Sequence, residues 1–158
     1  MQGTMAELLD LLHKGEKETE RFYTGLVDMF LHEPIAAKVW WEMAAEEALH
    51  MWLIDKAREA LSPEQLAMPI ESKVLEKARQ RASISPEKLW ASIKTLEDAY
   101  QIARLVEAEE FIVILGPIMQ DLFPGDIRNQ LAYSQMERHL EPLERLGTKE
   151  WRLSVLRR

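Results

Sequence analysis

Apolar residues recur along this chain at three- and four-residue steps, the signature of helices that bury one face. Leu9, Leu12, Thr19, Tyr23, Leu26 and Phe30 make the first such face. Ala36, Trp40, Met43, Ile54, Ala57 and Leu61 make the second. Leu96, Tyr100, Ala103, Ile114 and Ile118 make the third, and Ala132, Met136, Leu143 and Leu146 the fourth. No stretch alternates apolar and polar residues between turn signals in the manner of a strand. The pattern predicts an all-α chain with long helices over about 4–31, 34–61, 95–122 and 126–146.

Punctuation between the faces agrees. Thr4 is a candidate cap for the first helix, and Pro34 suits the first turn of the second. Ser62-Pro63-Glu64 and Ser85-Pro86-Glu87 open short segments inside a long connection, 62–94. Thr95-Leu96-Glu97-Asp98 resembles a capping box, although the third helix could equally continue from Pro86. Phe123-Pro124-Gly125-Asp126 is a turn, with Asp126 as the cap of the fourth helix, which ends before Gly147. Short breaks after the first and third helices predict two antiparallel hairpins. The long 62–94 segment allows a crossover between the second and third helices. Two αα-hairpins joined by one crossover is the ferritin-like form of the four-helix bundle. The whole chain, 1–158, is read as one such domain with a tail at 147–158.

Polar residues interrupt these faces at matching depths. Glu16 falls in the middle of the first, Glu47 and His50 in the second, Glu107 and Glu110 in the third, and His139 in the fourth. Unpaired carboxylates in a dry core repel one another and lose hydration, at a cost of several kcal/mol each. A bound cation removes that cost. Glu47-Ala48-Leu49-His50 is Glu-x-x-His, a spacing that aims both side chains at one point. Carboxylate and imidazole together suit iron, manganese or zinc rather than calcium. Glu16 and Glu107, and likewise His50 and His139, occupy corresponding positions in the two hairpins, a weak internal repeat. The bland alternative is a core that tolerates polar groups. Glu18, Glu20, Glu42, Glu46, Glu109 and Glu137 fit it as solvated or supporting residues, and His13 and His32 read as surface histidines.

Composition narrows the chemistry. The chain has 158 residues, 47% of them hydrophobic, enough for a sizeable core. It has no cysteine, which excludes disulfides, thiol catalysis, iron–sulfur clusters and a rubredoxin-type iron centre. A formal charge of −7 argues against nucleic acid as a partner. No apolar run reaches a membrane-spanning length and no signal peptide is visible, so no membrane association and a cytoplasmic location are expected. Nucleotide-binding glycine loops and the Gly-x-Ser-x-Gly motif are absent. Trp40 belongs to the core seam, whereas Trp41 and Trp52 are candidates for a subunit contact.

Glu16-x6-Tyr23, Glu46-Glu47-x-x-His50, Ala103-x3-Glu107-x-x-Glu110 and Arg138-His139-Leu140-Glu141 together resemble the rubrerythrin family of ferritin-like di-iron proteins. The resemblance covers the layout from about Glu7 to Leu146. It implies iron ligands at Glu16, Glu47, His50, Glu107, Glu110 and His139, with Tyr23 beside the metal. It also implies peroxidase or ferroxidase activity, a homodimer, and a separate electron-donor protein. The chain departs from the pattern at Met136, where the family carries a bridging carboxylate three residues before the last histidine. The centre could therefore hold one or two ions, with zinc or manganese as alternatives to iron. Two functions stay open: an oxidoreductase reducing peroxide or oxygen at non-haem iron, and a non-enzymatic structural or partner-binding bundle with a degenerate site.

Overall fold

The computed structural model describes residues 3–107 and 141–146, and within them the chain is helical. The helices are α1 (Met5–Met29), α2 (Pro34–Ala60), α3 (Pro63–Leu66), α4 (Ser72–Ala82), α5 (Pro86–Ser92), α6 (Leu96–Glu107) and α7 (Glu141–Leu146). Among the described residues there is no strand, only an isolated bridge between Thr4 and Pro69. None of these helices is long and apolar enough to cross a membrane. The expected third and fourth helices are seen only as α6 and α7. Expectations for 108–140 and 147–158 lie outside the described residues.

Local chemistry sets most of the boundaries. Thr4 accepts a hydrogen bond from the Glu7 N–H and starts α1. Ser62 and Gln65 form a reciprocal capping box on α3, with bonds of 3.2 and 2.9 Å. Thr95 and Asp98 do the same on α6, at 3.1 and 2.8 Å. That box separates α6 from α5 and fixes where α6 begins. Ser85 holds the cap position of α5 without a cap bond. Its hydroxyl lies 3.4 Å from the Glu87 carboxylate instead.

α1 and α2 form an antiparallel hairpin. The far end of α2 lies beside the start of α1, where Arg58 bonds the Ala6 carbonyl at 3.2 Å and pairs with Asp10. The crossover then runs back along α1 in the direction of α1 itself. Met68 and Ile70 bond the backbone at Met5 and Gly3, each at 2.9 Å. Arg79 meets Glu7 at 2.8 Å, Glu87 meets Arg21 at 2.5 Å, and the Trp90 indole donates to the Phe22 carbonyl at 3.2 Å. Delivered to the other end of α1, the chain turns into α6, which therefore runs parallel to α2. α7 packs against α2 and α6, with Arg145 2.5 Å from Glu42.

The apolar core is in two parts. One contains Met5, Leu8, Leu9 and Leu12 of α1, Ile54 of α2, and Leu75 and Ala78 of α4. The other gathers Phe22, Leu26, Trp40, Met43, Tyr100, Leu143, Leu146 and their neighbours. Between the two lies a buried polar band: Glu16, Thr19, Glu47, His50, Arg81 and Glu107.

Candidate metal centre

Helical periodicity puts most of the band in place. Glu16 sits one turn beyond Leu12 on the buried face of α1, and Glu47 one turn beyond Met43 on α2. Both carboxylates are fully buried, and His50 is 1% exposed. The i, i+3 spacing on α2 sets His50 Nδ1 3.1 Å from Glu47 Oε2, and the hairpin sets it 3.3 Å from Glu16 Oε2. One ligand atom from each of Glu16, Glu47 and His50 lies within 4.8 Å of the others. Ligand atoms on one ion with bonds of about 2.0–2.2 Å stand no more than about 4.4 Å apart. A small side-chain adjustment therefore brings all three onto one ion. Two carboxylates and an imidazole form a donor set for a first-row transition metal. This buried group could hold a metal ion, and its residues do not identify which one.

The other half of the band is built by α4 and α6. Glu107 is buried at the end of α6 and accepts a hydrogen bond from the Tyr23 hydroxyl. Tyr23 in turn stacks on Trp40, with ring centroids 6.1 Å apart. Arg81, at the end of α4, is 1% exposed. Its Nε lies 3.4 Å from Glu16 Oε1, and its Nη1 donates to the Val106 carbonyl at 2.6 Å. Its Nη2 has no hydrogen-bond acceptor among the described residues. Arg81 reaches the band because α1 carries a glycine at the crossing point. A β-carbon on Gly15 would stand 2.6 Å from Arg81 Cγ, closer than any real contact allows.

Charge in the band is tightly coupled. Burial pushes the Glu16 carboxyl up, but hydrogen bonds with Glu47 and His50 and the Arg81 charge outweigh it and draw it down to about 2. Glu47 goes the other way. Burial, then the neighbouring Glu16 charge, raise it well above the usual carboxylate range. Burial alone would lower His50, yet its bonds to Glu16 and Glu47 lift it to about 9. Without metal, at neutral pH, the band thus contains an ionised Glu16, an imidazolium and a guanidinium, with the Glu47 carboxyl pushed toward its protonated form. Burial pushes the Tyr23 hydroxyl up, and the Glu107 charge adds to that, so Tyr23 stays a donor.

The structure gathers Glu16, Glu47, His50, Glu107 and Tyr23 into one band. Glu110, His139 and Met136 lie outside the described residues. Glu18 pairs with Arg21, Glu20 with Thr24 and Glu42 with Arg145, all away from the band. His32 is exposed. His13 also lies at the surface, half-buried and 3.6 Å from Asp55. One premise of the sequence reading is corrected: the buried carboxylates are not unpaired, because Arg81 faces them from the crossover. The signal that points to Arg81 is Gly15, a glycine inside a strong helical pattern, which marks a close approach of another segment.

Comparison with known proteins finds no matching family model, no matching curated protein and no matching solved structure.

Proposed function

We propose that this chain is a ferritin-like bundle that binds a transition metal, iron foremost, in its polar band and acts there as an oxidoreductase. The observation that carries the reading is the convergence of Glu16, Glu47 and His50 inside an apolar core. The crossover supports the fold part of the proposal, since parallel α2 and α6 are what a ferritin-like connection requires. In this reading Glu107, Glu110 and His139 complete the ligand set. Exposed Trp41 and Trp52 on α2 fit the subunit contact of a homodimer.

Iron in this band would supply reduction of hydrogen peroxide or oxygen to water, with electrons drawn from a separate donor protein. The chain's own residues do the rest. The two apolar clusters close the band off from bulk water. Tyr23 holds Glu107 in one orientation through its hydroxyl. His50 gives up its added proton when an ion binds, and the raised Glu47 acts in the same direction, so binding strengthens as pH rises.

The test is metal content by mass spectrometry on freshly purified protein, with peroxide consumption measured after loading with ferrous iron. Iron retained by the natural chain and lost in Glu47→Gln and His50→Ala supports the reading. A second reading is favoured by one observation, the buried Arg81 guanidinium beside Glu16. There the band is a charge-balanced structural network in a partner-binding scaffold. A folded chain that takes up no iron, manganese or zinc on titration establishes that reading over the first.

A further inference from the structure

We propose that Arg81 is a built-in cation standing in for one metal ion, so that the band accepts a single divalent ion beside Glu16, Glu47 and His50, not a pair. The inference rests on the metal-binding reading above. Arg81 is fixed from three directions. Its Nε faces Glu16 at 3.4 Å, its Nη1 is bonded at 2.6 Å to the carbonyl of Val106, and its aliphatic stem lies against Gly15. Val106 directly precedes Glu107, so the guanidinium bridges the α1 carboxylate to the α6 segment that carries the next one. A second dication placed between Glu16 and Glu107 would meet a fixed positive charge at close range in a water-poor core. Unlike an imidazole, a guanidinium cannot shed its proton to make room. Nor can it swing out to solvent without breaking the Val106 bond and leaving the space against Gly15 open. On the other side of the band, one ligand atom each of Glu16, Glu47 and His50 remains within reach of one ion.

The test compares the natural chain with Arg81→Met and Arg81→Lys, each stripped of metal and titrated with manganese by calorimetry, with melting followed in parallel. The natural chain and Arg81→Lys should bind one ion. Arg81→Met removes the competing charge and should bind the ion more tightly than the natural chain, or take a second ion. Its metal-free form should melt lower than the natural chain and regain more on adding manganese. If metal-free Arg81→Met does not fold, refolding in the presence of manganese gives the same reading, and the stoichiometry of the natural chain still decides. Two ions per natural chain, or a folded Arg81→Met with unchanged or weaker binding at one ion, overturns the inference while leaving the metal reading intact. No binding by the natural chain together with one ion bound by Arg81→Met overturns the single-ion inference, since Arg81 would then exclude every ion, and removes the metal reading for the natural protein. No binding by any of the three removes both.

Discussion

α1 packs on two sides, and the two sides are built differently. Its buried face presents large apolar residues at helical spacing, Leu9, Leu12 and Leu26, with Glu16 set among them. Toward the crossover, beside an apolar cluster it shares with Leu75 and Ala78 of α4, it also presents glycines. A β-carbon at Gly15 would strike the Arg81 stem at 2.6 Å, and one at Gly25 would strike the Trp90 ring at 2.3 Å. The first side gains stability from the area it buries. The second gives up helix propensity, about 1 kcal/mol per glycine relative to alanine, to let a bulky side chain cross close to the backbone. The difference matters because the apolar side holds the carboxylates and the glycine side admits the cation that faces them.

The most damaging way to break this arrangement is to remove the group that touches both sides. Glu16→Leu leaves Arg81 buried without its carboxylate partner. It should cost about 3–5 kcal/mol in chemical denaturation, the usual penalty for stranding one half of a buried ion pair. A loss under 1 kcal/mol would mean that Arg81 finds water or another acceptor and that the band is looser than described.

pH sharpens the comparison next, because the α2 half of the band titrates and the α4 half does not. In metal-free protein His50 is raised from 6.5 to about 9, so its contribution is fully present below pH 6.5 and lost as pH rises through 9. Glu47, also raised, acts in the same direction. Glu16 is lowered to about 2, so its contribution holds above its ordinary value of 4.5 and disappears as pH falls through 2. Denaturation midpoints of metal-free protein should therefore fall steadily from neutral pH to above pH 9. A flat profile over that range would place His50 outside the hydrogen-bonded cluster.

Gly15→Ala tests the glycine side directly. On an exposed helix the change stabilises, whereas here the added methyl collides with Arg81. The expected net effect is a loss of about 1–3 kcal/mol, as for overpacking elsewhere. A gain in melting temperature would show that α4 stands farther from α1. The smallest effect belongs to Trp90→Phe, which keeps an aromatic ring beside Gly25 but removes the bond to the Phe22 carbonyl. It should cost about 0.5–1.5 kcal/mol, measured by the same denaturation. A larger loss would mean that the indole packs more of the crossover than its one hydrogen bond suggests.

Sequence alone did not place α4 or choose where α6 begins, but it determined α1, α2 and the cap-marked starts of α3 and α5, because helix periodicity and caps are local. The residues within one turn decide them, as Ser62 with Gln65 and Thr95 with Asp98 show. It also placed Glu16, Glu47, His50 and Glu107 in the core, since a carboxylate inside an apolar face stands out against its neighbours. Tertiary structure decided what faces those carboxylates. Arg81 lies in α4 among Lys73, Glu76, Lys77 and Arg79, where one more charged residue reads as part of a solvated face. Its burial follows from a contact with a residue 65 positions away, made possible by Gly15 and by the direction in which the crossover climbs α1. No local pattern encodes that pairing. The charge balance of the band is a property of how the helices pack together.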